Sequence, residues 1–310
     1  MKALITGVSG FVGSFLSEEL LANNFEVVGL SRTPSSNKNI EYRKCDILDE
    51  GKLKQILQEV KPDHIYHLAG SAFIPISYER PIETYRTIVN GTLSLYEIIR
   101  NLEIDSKVLY VGSAEVYGIG KGVPFTEEDL FHPTNPYAGA KAAADVISEQ
   151  YAKAYNMKII RVRPFNHTGP KQSSEFVCSN FAKQIALLEN EGKQNIRVGN
   201  INVSRDFLDV RDVVHAYLLL MKHGKVGEVY NVSSNKSVSI GELLNSLLLF
   251  SNIQNPTVEI DSSKVRKKDT FVRVGDSTKL QGDTGWYPKH DLKDTMRDLL
   301  AYWREHSFNS

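Results

Sequence analysis

With 310 residues the chain can bury a real core, either as one large domain or as two lobes. Lys plus Arg and Asp plus Glu both number 37, so no net field draws in nucleic acid or an anionic membrane. The two cysteines, Cys45 and Cys178, lie in unrelated segments and suggest neither a disulfide framework nor a metal site.

Short apolar runs alternate with helical patterns along the first half. Segments 2–6, 26–29, 40–44, 64–68, 108–112 and 158–162 read as strands, and 11–22, 51–60, 82–101 and 137–155 as helices. The first apolar run is too short for a secretory leader, and no stretch approaches the roughly 20 apolar residues that cross a bilayer. A reducing cytoplasm is the expected home. Strands separated by helices of this length predict an α/β fold, a Rossmann-type doubly wound parallel sheet. After Arg163 the rhythm breaks into loops, short strands and helices at 176–191, 238–250 and 292–304. This pattern predicts a smaller C-terminal lobe over the carboxyl ends of the sheet, where open α/β sheets bind ligands. The expected division is a dinucleotide-binding domain, 1–165 with 208–234, and a substrate lobe, 166–207 with 235–310.

Gly7, Gly10 and Gly13 follow the first strand and open the first helix. Gly7 turns the chain, Gly10 lets backbone approach a pyrophosphate, and Gly13 seats the helix on the sheet. Phe11 and Val12 then stand at a helix N-terminus aimed at the phosphates. Such a triplet alone is often only a turn, and its strand–helix setting favours dinucleotide binding. Where NAD sites usually carry a carboxylate after the second strand, this chain has Ser31 and Arg32. A hydroxyl and a guanidinium suit a 2′-phosphate, so NADP(H) is expected and NAD(H) is the alternative. Arg32 as an ordinary solvated charge is the other reading. Asp46 and Ile47 are candidates to cover the adenine, although Asp46 is also a natural turn cap. Leu68, Ala69 and Gly70 offer small residues beside a cofactor.

Tyr137 and Lys141 stand four apart on one helix, so they share a face. A nearby ammonium lowers a phenol towards a working pKa, and Ser113, at the end of the fifth strand, is placed to bond a substrate oxygen. Together with the glycines, this set points to a nicotinamide-dependent enzyme acting on a carbonyl or alcohol.

At these residues the chain resembles the extended short-chain dehydrogenase/reductase family over nearly its whole length. Gly7-x-x-Gly10-x-x-Gly13, His67-Leu-Ala69, Asn90-Gly-Thr92, Gly112-Ser-Ala-Glu-Val-Tyr-Gly118 and Tyr137-x-x-x-Lys141 carry the likeness in order. The resemblance implies that Lys141 also holds the nicotinamide ribose, that Pro164 lies beside the nicotinamide, and that Asn90 plays a supporting part. The second half is similar to the GDP-6-deoxy-4-keto-mannose reductases, which make GDP-rhamnose and are relatives of GDP-mannose 4,6-dehydratase. Arg163-Pro-Phe-Asn-His-Thr-Gly-Pro170, Val198-Gly-Asn200 and Arg205-Asp-Phe-x-Asp-Val-Arg-Asp212 carry that likeness. It implies a GDP-sugar pocket lined by Asn166, Val177, Asn200, Arg205 and Arg266. Arg205 and Arg266 suit diphosphate oxygens, while pairing of Arg205 with Asp206 or Asp209 is the structural alternative. Lys267 stands where relatives usually have proline after the arginine.

Ala114-Glu115 occupies the place of the Asp-Glu pair of dTDP- and UDP-sugar dehydratases. Glu115 is a live base, a pocket residue or a structural relic. The expected reaction is NADPH-dependent reduction at C4 of GDP-4-keto-6-deoxy-mannose, with Tyr137 as acid, Ser113 polarising the carbonyl and Lys141 tuning Tyr137. The alternatives are a GDP-mannose 4,6-dehydratase, a C4 epimerase or reductase giving a 6-deoxy-talose, and a non-catalytic dinucleotide sensor. A homodimer is expected through helices 82–101 and 137–155, with Ala138, Ala142, Ile88 and Leu95 as candidate contacts. The same residues equally suit a face turned to the sheet.

Overall fold

The computed structural model describes residues 1–262 and 272–307. The first half runs β1 (Lys2–Thr6), α1 (Phe11–Ala22), β2 (Glu26–Ser31), β3 (Glu41–Lys44), α2 (Glu50–Val60), β4 (His64–His67), α3 (Ile74–Glu79), α4 (Pro81–Tyr85), α5 (Gly91–Asn101), β5 (Lys107–Val111), α6 (Pro136–Tyr155) and β6 (Ile159–Pro164). The second half continues with β7 (Asn166–Thr168), α7 (Val177–Glu191), β8 (Asn195–Val198), β9 (Ser204–Arg205), β10 (Phe207–Asp209), α8 (Val210–His223), β11 (Val229–Val232), β12 (Val238–Ser239), α9 (Ile240–Leu248), β13 (Thr257–Ile260), β14 (Val272–Arg273), α10 (Thr278–Thr284) and α11 (Leu292–His306).

Seven strands pair in the order β11-β6-β5-β4-β1-β2-β3, and every pairing is parallel. This is the Rossmann-type α/β sheet the strand–helix rhythm predicts. Its order reverses between β1 and β4, which opens a crevice at their carboxyl ends. Successive side chains alternate between the faces: Ile5 packs with Leu16, Tyr66 and Tyr217, and Leu4 with Leu57, Leu95 and Val108. A third core, built from Phe181, Ile185, Leu243, Leu247, Leu299 and Trp303, joins α7, α9 and α11 into the small lobe.

Three expectations change. The helix expected over 82–101 is divided, because Pro81 starts α4 after a non-helical Arg80, and a π-helical turn, Arg86–Asn90, then leads into α5. The helix expected over 238–250 begins only at Ile240, where Ser239 and Glu242 form a capping box. Helix α8 and edge strand β11 were not named as elements by the sequence pattern, yet α8 covers one face and β11 completes the sheet. Ile88, Leu95, Ala138 and Ala142 are all buried within the chain, so these four belong to the core.

Candidate active site

A cavity of about 1200 Å³ runs along the carboxyl ends of the sheet strands and is closed on its other side by residues of the small lobe. At one end lies the turn after β1. Gly7 has a φ of 77°, and its N–H donates to the Leu30 carbonyl at 2.7 Å. A side chain at Gly13 would put its β-carbon 2.8 Å from Val8 Cα and against the Gly7 carbonyl, so α1 seats here only with glycine. No side chain caps the first turn of α1 after Gly10, which leaves its N–H groups facing the cavity walled by Gly10, Phe11, Val12 and Gly13.

Ser31, Arg32, Asp46 and Ile47 line the same end. The Ser31 hydroxyl donates to the Thr33 carbonyl at 2.7 Å, and the hydroxyls of Ser9 and Thr33 lie 3.0 Å apart. Arg32 is exposed and makes no ion pair among the described residues. Asp46 also turns the chain, accepting the Leu48 N–H at 3.0 Å. Leu68, Ala69 and Gly70 are held by a buried chain. The Ala69 N–H donates to Thr6 Oγ1 at 3.1 Å, Thr6 Oγ1 lies 2.8 Å from His67 Nδ1, and His67 Nε2 lies 3.1 Å from Thr92 Oγ1. Burial pushes His67 down to about 3, so it serves here as a neutral connector.

The middle of the cavity holds the acid–base group. Asn135 caps α6, accepting the Ala138 N–H at 2.8 Å, and thereby sets Tyr137 in the first turn. Tyr137, Lys141 and Asp145 follow at four-residue spacing, all buried. Ser113 accepts the Glu115 N–H at 3.1 Å, and its hydroxyl stands beside the Tyr137 phenol on the cavity wall. Burial pushes Tyr137 up to about 12 and Ser113 pulls the other way, so the phenol keeps its proton at neutral pH. The Lys141 ammonium donates to the Val111 carbonyl at 2.7 Å, and burial draws it down to about 8 against the pull of Asp145. Among the chain's own groups, Ser113 rather than Lys141 lowers the phenol. Behind Lys141, Asp145 accepts Arg161 at 2.9 Å and Arg163 at 3.0 Å. Arg163 also donates to Tyr117 at 2.9 Å, fastening α6 to β6 and so placing Pro164 on the wall.

Asn166, Val177, Asn200 and Arg205 line the far end. Asn166 opens β7 in register with Phe207, Val177 starts α7, and Asn200 accepts the Asn202 N–H at 3.1 Å. Arg205 is buried and donates to the Ser204 carbonyl at 2.8 Å. The two carboxylates beside it are engaged elsewhere: Asp206 accepts both Ser234 donors, and Asp209 is gripped by Arg211 at 2.7 Å. Arg266 lies outside the described residues. Asn90 is exposed and does not line the cavity, whereas Thr87 in the same π-helical turn does.

Thr33, Phe73 and Arg273 are among the wall residues that sequence patterns miss. Thr33 follows Arg32 without a motif of its own. Phe73 meets Phe176 edge to face across the cavity, ring centres 6.0 Å apart. Arg273 reaches from β14 to form an ion pair with Glu115, a partner 158 residues away that no local spacing reveals.

The family model for GDP-mannose 4,6 dehydratase matches residues 4–299. The chain belongs to that family. It is 35% identical over 305 residues to GDP-6-deoxy-D-mannose reductase of Pseudomonas aeruginosa, covering 97% of each chain. It is 30% identical to GDP-mannose 4,6 dehydratase 1 of Arabidopsis thaliana, over 96% of this chain and 88% of the relative. Among solved structures, RMD from Pseudomonas aeruginosa complexed with NADPH is 32% identical with a TM-score of 0.87, covering 98% of this chain and 99% of that one. UDP-glucose 4-epimerase of Thermotoga maritima, solved with UDP-glucose, is 26% identical with a TM-score of 0.89, covering 98% and 99%.

For this family member the residues fit a dinucleotide. The excluded β-carbon at Gly13 and the uncapped first turn of α1 make a cradle for a diphosphate. At the end of β2 the chain presents Ser31, Arg32 and Thr33, a cation and two hydroxyls with no carboxylate among them. That donor set suits a phosphate-bearing ribose.

Proposed function

We propose that this chain reduces the C4 keto group of GDP-4-keto-6-deoxy-D-mannose to GDP-D-rhamnose with NADPH. The observation that carries the reading is the buried, protonated Tyr137 beside Ser113 within a cavity that continues from a dinucleotide cradle to a second lobe. Full-length likeness to a GDP-6-deoxy-D-mannose reductase supports the choice of sugar. Likeness to RMD complexed with NADPH, together with Arg32, supports NADP(H) over NAD(H).

In this mechanism Gly7, Gly10 and Gly13 cradle the diphosphate, while Ser31 and Arg32 hold the adenosine ribose phosphate. Ile47 and Ala69 flank the cofactor. NADPH, when bound, supplies the hydride. Ser113 donates to the ketone oxygen and polarises it, and Tyr137 delivers the proton that completes the alcohol. Lys141 keeps a positive charge beside this exchange. Asn166, Val177, Asn200 and Arg205 hold the nucleotide sugar. The two lobes divide the work, with 1–165 and 208–234 for the dinucleotide and 166–207 and 235–310 for the sugar.

Exposed Ile82, Tyr85 and Val146 on α4 and α6 support a homodimer. The free, buried thiols of Cys45 and Cys178 suit a reducing cytoplasm. Among the described residues no helix is long and apolar enough to cross a membrane.

The second reading is a GDP-mannose 4,6-dehydratase, favoured by Glu115 on the cavity wall. The purified protein, given GDP-4-keto-6-deoxy-mannose and NADPH, is expected to consume NADPH one for one with the ketone. Turnover of GDP-mannose with no loss of NADPH absorbance would replace the first reading with the second.

A further inference from the structure

A site that reduces a ketone by way of Tyr137 and Ser113 carries a hazard. The C–H bonds flanking a ketone are acidic, and a carboxylate within reach turns the bound substrate into its enolate. Among the described residues three carboxylates line the cavity: Asp46, Glu175 and Glu115. Only Glu115 stands beside the acid–base group, two residues after Ser113 and bonded to its hydroxyl through a backbone N–H at 3.1 Å.

Glu115 does not stand alone. Arg273 Nη1 is paired with its Oε1, and the two side chains are 8% and 19% exposed respectively. The arginine comes from the small lobe. Strand β14 pairs with β9, and the Asp206 N–H donates to the Arg273 carbonyl at 3.0 Å, which fixes the backbone behind the guanidinium. Arg273 Nε is buried without a partner among the described residues, so the guanidinium is not a fully satisfied brace. A desolvated charge pair at a cavity wall is a poor source of stability, which favours a part in specificity.

We propose that Arg273 is a positioning residue that decides the reaction's outcome: it occupies the Glu115 carboxylate and so prevents that group from taking a proton beside the ketone. Were Glu115 to act, the C–H electron pair at C3 or C5 would move into an enolate with its charge on O4, and the proton would end on the carboxylate. Protonating Glu115 abolishes its attraction to Arg273, so the pair opposes that step. The inference rests on the ketone-reductase reading above and adds a named residue for why reduction proceeds without scrambling the neighbouring centres.

The full-length protein is incubated with NADP⁺, so that no hydride is available, and with GDP-4-keto-6-deoxy-mannose in D2O. Deuterium entry into the sugar is followed by mass spectrometry against a protein-free blank. Wild type is expected to match the blank, Arg273→Leu to exceed it at least about tenfold, and Arg273→Leu combined with Glu115→Gln to return to it. Arg273→Gln, which removes the charge but keeps a donor, carries the same expectation as Arg273→Leu should that variant not fold. Exchange already catalysed by wild type would overturn the proposal. So would exchange at the blank rate in a folded, ligand-binding Arg273 variant, or exchange that persists in the double variant. NADPH consumption by wild type, run in parallel, reports on the reductase reading separately.

Discussion

Tyr137 is a phenol held in its protonated form by burial, with Ser113 beside it. Tyr137→Phe is therefore expected to lower kcat by about 10²–10⁴-fold, the usual worth of a positioned acid. NADPH affinity, followed by fluorescence titration, should stay nearly intact; an active variant would remove Tyr137 from the mechanism. Lys141 sets the alkaline limit. Its folded value of about 8 lies below the ordinary 10.5, so the ammonium is lost as pH rises through about 8. The kcat/KM for NADPH, which reports the free enzyme, should fall above that pH and stay flat in Lys141→Met. Stability has the opposite slope, rising between about 8 and 10.5 because the folded state sheds this proton first. Arg32→Ala is expected to weaken NADPH binding by about 10–100-fold, as the loss of a charged hydrogen bond implies, while leaving NADH little changed. Equal losses for both cofactors would show that Arg32 is not the phosphate partner.

Elements that carry a local signal were legible. The glycine spacing gave the turn from β1 into α1, and Tyr137 and Lys141 gave α6, because each pattern reflects contacts within a few residues. The divided helix before α5 was not legible, since Pro81 within an apolar stretch does not reveal a π-helical turn downstream. Strand β11 was not legible either, because four residues, Val229–Val232, are too few to show a period. Elements are also where stability should be tested. Asp145→Ala would leave the guanidiniums of Arg161 and Arg163 buried without their shared carboxylate, at a cost of about 3–5 kcal/mol. Denaturant unfolding that shifts by less than about 1 kcal/mol would contradict this account of how α6 is fastened to β6.

At the scale of the molecule, the sheet reverses its order between β1 and β4, and the small lobe closes over the crevice that results. The sequence rhythm predicted this architecture but not the contacts that cross it. Phe73 with Phe176, and Arg273 with Glu115, join segments far apart in the chain, and no spacing rule brings such partners together. The family likeness narrows the chemistry to nucleotide sugars, and the cavity's acid–base group narrows it to a ketone and an alcohol. The most direct test is transfer from NADPH carrying deuterium in its transferable position to GDP-4-keto-6-deoxy-mannose, with the product analysed by NMR. One deuterium is expected at C4 of GDP-rhamnose and none elsewhere in the sugar. Product without deuterium at C4, or consumption of GDP-mannose with no net oxidation of the labelled cofactor, would contradict the reductase reading.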